Sequence, residues 1–320
     1  TDSDVQTDVA VRNLKNNSNI NNQNLDTTRD IYHQIKDLIA LGNVFDAYSL
    51  AQKCYLEDKN NIRSKEVYAL ALWKTGAVDD VNIIIKPLFE NIPVDNFIES
   101  NFAKNTDPSV LAGLADIFKE LWQYTRSCHD LDLARELYLA SFRYDKNRIL
   151  SGINAAWMAW ITGEDELSVS LAREVLDNLP QLGLEATFDQ LILYAEAQLI
   201  IGRGDDASRI YEEAMGKSDK KNYLPVVKAR QKLFFLKSAG VKIPDEVFKA
   251  LVPPTIVVFS GQMIDRAYQE FPIFPNELED KVRDVIRDTL NDLDARIGYS
   301  SASSGAEILF LEEMVKRGAE

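Results

Sequence analysis

Between residues 28 and 240, apolar residues recur every three to four positions in blocks separated by short polar breaks, a period that predicts amphipathic helices. The blocks repeat. Gly42 in "ALGNVFDAYSLAQKCYLEDKN" and Gly76 in "WKTGAVDDVNIIIKPLFENIP" stand 34 residues apart, as do His129 and Gly163. Gly163 to Gly202 is 39, or 34 with five added, and Gly76 to His129 is 53, or 34 with 19 added. Each of the five positions is expected in a turn between two helices, where glycine or a residue tolerant of positive φ is needed.

The surrounding positions keep the same spacing. Seven residues earlier stand Ile35, Ala69, Trp122, Ala156 and Ala195; five later stand Ala47, Val81, Ala134, Ser168 and Ala207, mostly small, as close helix packing requires. Nine later come Ala51, Ile85, Tyr138, Ala172 and Tyr211, and Pro93 and Pro180 close the second helix in two of the five windows. This pattern resembles the tetratricopeptide repeat, which implies helix pairs stacked into a right-handed superhelix with a concave groove. The added residues 94–112 (VDNFIESNFAKNTDPSVLA) predict a long loop or an extra turn, and 222–240 (NYLPVVKARQKLFFLKSAG) a final capping helix with Gly240 past its end. Trp73, Trp122, Trp157 and Trp160 read as packing between repeats, with groove contacts the lesser alternative.

After Val252-Pro253-Pro254 the period changes. "TIVVFSG" (255–261) is β-branched and aromatic between Pro and Gly, which predicts a buried strand. "NELEDKVRDVIRDTLNDLDA" (276–295) predicts an amphipathic helix capped by Asn276, "RIGYS" a second strand, and "GAEILFLEEMVKRG" (305–318) a second helix ended by Gly318. Strand, helix, strand, helix is the opening of a parallel α/β sheet, and the third strand is expected where the chain ends, at Glu320. The expected fold is thus mainly α: a tetratricopeptide-like solenoid over 27–250, then a partial Rossmann-like segment over 251–320. Residues 1–26, rich in Asn, Asp and Ser, are expected to be a disordered tail or linker, and the absence of an initiator Met suggests a piece of a longer protein.

In parallel sheets ligands bind beyond the carboxyl ends of the strands. Two loops are expected at that edge, "SGQMID" after the first strand and "YSSASSGAE" after the second. The candidate ligand-binding residues are therefore Ser260, Gly261, Asp265, Ser300, Ser301, Ser303, Ser304, Gly305 and Glu307. Serine hydroxyls and the amides around Gly305, at a helix N-terminus, suit a phosphate. Glu307 would repel one and is better placed on a ribose hydroxyl or as a first-turn partner of the helix dipole.

Charge and rare residues narrow the classes. With 50 Asp+Glu against 36 Lys+Arg the net charge is −14, without a basic run, so nucleic acid is disfavoured as a partner. Cys54 and Cys128 read as buried thiols of a reducing compartment, and His33 and His129 share no metal-ligand spacing. No run of 18 apolar residues and no signal peptide are found, so a soluble, cytoplasmic protein without a membrane partner is expected. Catalysis is disfavoured: adjacent Glu312 and Glu313 point to different sides of a helix, no Ser-His-Asp or Cys-His set can be assembled, and Asp265 is the better candidate acid.

"VVFSGQMID" and "GYSSASSGAEILFLE", with the "LFLEEMVKRGAE" helix, resemble the SLOG superfamily of Rossmann-like ligand-binding domains. With tetratricopeptide repeats in front, the chain resembles bacterial sensor proteins of the TRAFs-binding or TPR-S type. That resemblance implies a regulatory module that binds a nucleotide or NAD-derived ligand and passes its occupancy to a fused effector or protein partner in signalling or defence. Gln262 and Glu307 depart from the His and Asp frequent there, and the PGG-x-GT loop of the related LOG enzymes is absent, which argues against their phosphoribohydrolase activity. The alternative is a tetratricopeptide interaction scaffold without a small-molecule ligand. Its inner helices offer mostly apolar and small residues with Lys74, Asn154 and Arg203, a weak basis for a carboxylate clamp.

Overall fold

The computed structural model describes residues 24–183, 185–218, 223–253, 255–265 and 270–319, so most of the expected tail lies outside the described residues. The first helix begins inside the stretch read as that tail. Helices α1 (Asn24–Ala40), α2 (Val44–Glu57), α3 (Ile62–Thr75) and α4 (Val78–Ile85) follow in antiparallel order; then come α5 (Asn101–Asn105), α6 (Pro108–Thr125), α7 (Cys128–Tyr144) and α8 (Ile149–Ile161). The chain divides into two compact units, Thr1–Met158 and Ala159–Glu320, with the boundary inside α8. The second unit continues with α9 (Asp165–Asn178), α10 (Phe188–Ile200), α11 (Gly204–Gly216), α12 (Leu224–Ser238) and α13 (Asp245–Ala250).

The turns follow local chemistry. Gly42, Gly76, Gly163 and Gly202 adopt positive φ between 78° and 84°, as the 34-residue spacing predicts. Each stands two residues before the next helix. The third window differs: His129 lies within α7, and the left-handed turn falls at Arg126, φ 60°, three residues earlier. Its amide bonds back to the Trp122 carbonyl, and Ser127 then caps α7 by accepting from the Asp130 N–H. Asn61 caps α3 in the same way, Asp107 with Pro108 opens α6, and Thr187 with Gln190 forms a capping box on α10.

The insertion at 94–112 is the expected extra turn, not a loose loop. It forms a 3₁₀ stretch over Val94–Glu99, then α5 and the start of α6, and it delivers Phe97, fully buried, and Phe102 to Phe89. Ring centroids lie 5.2 Å apart for Phe89 and Phe102, 5.2 Å for Phe89 and Phe118, and 6.1 Å for Phe89 and Phe97. The core of the first unit joins this cluster to Val67, Leu72, Leu111, Leu114, Ile117, Leu137 and Phe142. Trp122 and Trp157 are buried, in keeping with the packing reading; Cys54 is buried but Cys128, the first residue of α7, is exposed, contrary to expectation.

Helix α12 is not the last: α13 follows it, and Arg230 of α12 donates to the carbonyls of Phe248 and Leu251. Beyond it run β1 (Thr255–Val258), α14 (Glu279–Asp292), β2 (Ala295–Tyr299) and α15 (Ala306–Lys316). Asn276 does not cap α14 with its side chain; a 3₁₀ turn over Asn276–Leu278 leads in instead. The two strands pair in parallel, Ile256 with Ile297, Val257 with Gly298 and Val258 with Tyr299, after a register shift between Thr255 and Ile256. Two strands are too few to define a Rossmann-like fold. The expected burial of β1 is only half met: Val257 and Phe259 pack against Ile286, Leu290, Leu309, Phe310 and Met314, whereas Ile256, Val258 and Tyr299 are exposed.

Candidate functional site

The two loops do meet. Beyond β1 the ladder extends by one bond, from Phe259 N–H to the Tyr299 carbonyl at 2.9 Å, and the Phe259 ring stacks on Phe310 at 4.8 Å. This fixes where the chain turns at Ser260 and Gly261. A Cβ on Gly261 would lie 2.7 Å from the Ala306 Cβ and 2.8 Å from the Phe259 ring, so the first turn of α15 leaves room only for glycine. Gly305 adopts φ 103° and ψ −134°, a region essentially restricted to glycine. A Cβ there would lie 2.5 Å from the Gln262 carbonyl oxygen, 2.6 Å from the Ile264 nitrogen and 2.8 Å from the Met263 Cα. The Ala306 N–H donates to that Gln262 carbonyl at 3.0 Å, which docks the start of α15 on the first loop.

Glu307 joins both loops from the first turn of α15. Its side chain is buried, the residue being 4% exposed. Oε2 accepts from the Ser303 N–H at 3.0 Å, the Ser303 hydroxyl at 2.8 Å and the Ser301 hydroxyl; Oε1 has a longer approach, 3.4 Å, from the Gly261 N–H. The hydroxyl of Ser301, followed by the donors of Ser303, draws the carboxyl down to about 2, so it is an anion at any ordinary pH. It stands in the first turn of α15, where an anion suits the helix dipole, and it consumes hydroxyls and an amide that suited a phosphate.

Of the candidate residues, Gly261, Ser301, Ser303, Gly305 and Glu307 are thus brought together. Ser260 and Ser304 are exposed. The Ser300 hydroxyl is buried without a hydrogen-bond partner among the described residues. Asp265 serves its own loop: its carboxylate accepts from the Phe274 N–H at 2.7 Å while its N–H donates to the Phe274 carbonyl at 2.9 Å. Glu312 and Glu313 are equally committed, with Arg283 of α14 donating to Glu312 and lying 3.5 Å from Glu313, and Lys316 2.7 Å from Glu313. They hold α14 to α15.

Three supports lie outside the expected ligand-binding set. The Phe259–Phe310 stack orients the first loop, the Gln262 carbonyl receives α15, and Gly298 lets the Phe310 and Met314 side chains approach within 2.9 Å of where its Cβ would stand. Only Gly298 had a sequence signal, as a glycine within a strand pattern. The others depend on backbone atoms or on partners about 50 residues apart.

The antiparallel helix pairs and the left-handed turns between them define a helical-repeat architecture over the helical part of the chain. The model of the family described as Tetratricopeptide Repeats-Sensor matches residues 40–159, most of the first unit. Among solved structures, the thermophilic TPR protein TTC0263 of Thermus thermophilus aligns at 18% identity and a TM-score of 0.43, over 66% of this chain and 97% of that one. No curated protein sequence matches significantly. Among the described residues, no helix is long and apolar enough to cross a membrane.

Proposed function

We propose that this chain is a regulatory sensor module. In this reading the repeats over 27–250 hold a protein partner or a fused effector, and the segment 251–320 binds a nucleotide-derived ligand at the loops 260–265 and 300–307. The observation that carries it is the joining of two glycine- and serine-rich loops at one end of a parallel strand pair through the single carboxylate of Glu307. Such an edge is where parallel sheets take ligands, and loops held by internal bonds need little ordering on binding. With Ser301 and Ser303 engaged and the Ser300 hydroxyl buried, the polar groups left for a ligand are the exposed Ser260 and Ser304 hydroxyls and Glu307 Oε1, whose contact with the Gly261 N–H is long. A ribose hydroxyl can donate to a carboxylate, whereas a phosphate would meet its charge. This favours the sugar of an NAD-derived or mononucleotide ligand as the recognised part. The place of the module in bacterial signalling or defence rests on the family resemblance.

The scaffold reading stays as the second, favoured by one observation: the donors of Ser301, Ser303 and Gly261 are already used within the protein. Thermal melting with NAD, ADP-ribose, cyclic nucleotides and mononucleotides separates the two. A ligand at a hundredfold excess over its Kd stabilises the folded state by about 2.7 kcal/mol. The sensor reading expects one of them to raise the melting temperature, and Ser304→Glu, at an exposed position, to abolish the shift. No shift with any of them leaves the scaffold in its place.

A further inference from the structure

Among the described residues the strand pair is packed on one face. Past the register shift between Thr255 and Ile256, Val257 and Phe259 pack on the core of α14 and α15, and the Phe310 and Met314 side chains close on Gly298 from the same side. Successive side chains of a strand alternate between faces, which turns Ile256, Val258, Ile297 and Tyr299 the other way. There Ile256 is 58% exposed, Val258 80% and Tyr299 60%. Val258 and Tyr299 are also direct partners in the ladder, so their side chains stand side by side about 5 Å apart, the spacing of paired strands. Both sit at the carboxyl ends: Tyr299 directly precedes Ser300, and Val258 is two residues before Ser260. The exposed aromatic and aliphatic surface therefore continues into the loop pair joined by Glu307.

A nucleotide brings three groups with different demands. Its ribose hydroxyls can donate to Glu307 Oε1, and its phosphates are kept from the same loops by the charge on that carboxylate. The base is left, a flat ring that gains most by leaving water against another ring. Tyr299 is the aromatic side chain that the strand ends expose; Phe259, the other ring there, is turned inward and stacked on Phe310 at 4.8 Å. A lone exposed aromatic would signify nothing. Here the ring has an apolar neighbour across the ladder and the candidate loop next to it in the chain, and a tyrosine has few rotamers to lose on binding.

On the sensor reading, the geometry points to Tyr299 as the platform on which the heterocyclic base of the ligand stacks, flanked by Val258, while the ribose of the same molecule reaches Glu307. The ligand class is then a base-bearing nucleoside derivative whose phosphates lie away from the loops, and not a sugar phosphate. The test compares AMP, cyclic AMP, NAD and ADP-ribose, which carry a base, with ribose 5-phosphate, which does not, by calorimetric titration of wild type, Tyr299→Ala and Tyr299→Phe. At least one base-bearing compound should bind the wild-type chain, and at least about fivefold more tightly than ribose 5-phosphate. Tyr299→Ala should weaken it by about 5- to 100-fold, the loss that removing one base–aromatic stack brings, and Tyr299→Phe by less than about twofold. Saturation-transfer NMR should show the signal of the base protons, relative to the ribose protons, fall in Tyr299→Ala, which a merely structural role would leave unchanged. Equal affinities in wild type and Tyr299→Ala overturn the stacking and leave the sensor reading in place. So do equal losses in Tyr299→Ala and Tyr299→Phe, or ribose 5-phosphate binding as tightly as the base-bearing compounds. Binding of none of the compounds removes the sensor reading and the stacking together.

Discussion

Gly305→Ala is the sharpest test of the loop geometry. Two costs combine. An alanine at φ 103° and ψ −134° adopts a backbone conformation worth about 1–3 kcal/mol of strain. Its methyl would also meet the Gln262 carbonyl at 2.5 Å and the Ile264 nitrogen at 2.6 Å, backbone atoms that no rotamer change can move; overpacking of this kind costs about 1–3 kcal/mol. Together they amount to about 2–6 kcal/mol, concentrated where α15 docks on the first loop. Gly318→Ala provides the control. Gly318 also has positive φ, 68°, but a Cβ there meets nothing within 4 Å, so only the left-handed backbone cost of about 1–2 kcal/mol applies. Hydrogen exchange of the α15 amides reads the difference. Protection should fall by about thirtyfold or more in Gly305→Ala and clearly less in Gly318→Ala. Equal losses in the two variants would mean that the loops do not press on each other, and the site would lose its geometric basis.

Two further predictions follow from other parts of the chain. Glu307 has its carboxyl lowered in the folded state, so its contribution is fully present above the ordinary carboxylate value, about 4.5, and is lost as pH falls towards about 2. Melting curves of wild type and Glu307→Gln should thus converge as pH falls through that window and separate at neutral pH; parallel curves would contradict the bonding to Ser301 and Ser303. Phe97→Ala should cost about 3–5 kcal/mol in urea unfolding followed by tryptophan fluorescence, because the ring is fully buried against Phe89 and Phe102. A loss below about 1 kcal/mol would return the insertion to the status of a loose loop.

What the sequence alone determined is what local hydrogen bonding and side-chain period control. The helix pairs, the turns at Gly42, Gly76, Gly163 and Gly202, and the two strands with their helices were legible because each depends on residues a few positions apart. The third turn lies at Arg126 and not at His129 because an arginine takes the left-handed conformation usually left to glycine, which residue type does not signal; Ser127, the cap, is its readable sign. Tertiary structure decided the rest. Composition showed that Glu307 and the serines shared a stretch, but only the parallel pairing of β1 with β2 brought Gly261 to the same carboxylate across 46 residues. It likewise turned Asp265 back on Phe274, filled the insertion with Phe97, and set Glu66 in the space left by Gly113 on another helix. The physical reason is common to all four. A polar or aromatic side chain has many acceptable partners in the unfolded chain, and packing across elements selects one by excluding water and the alternatives.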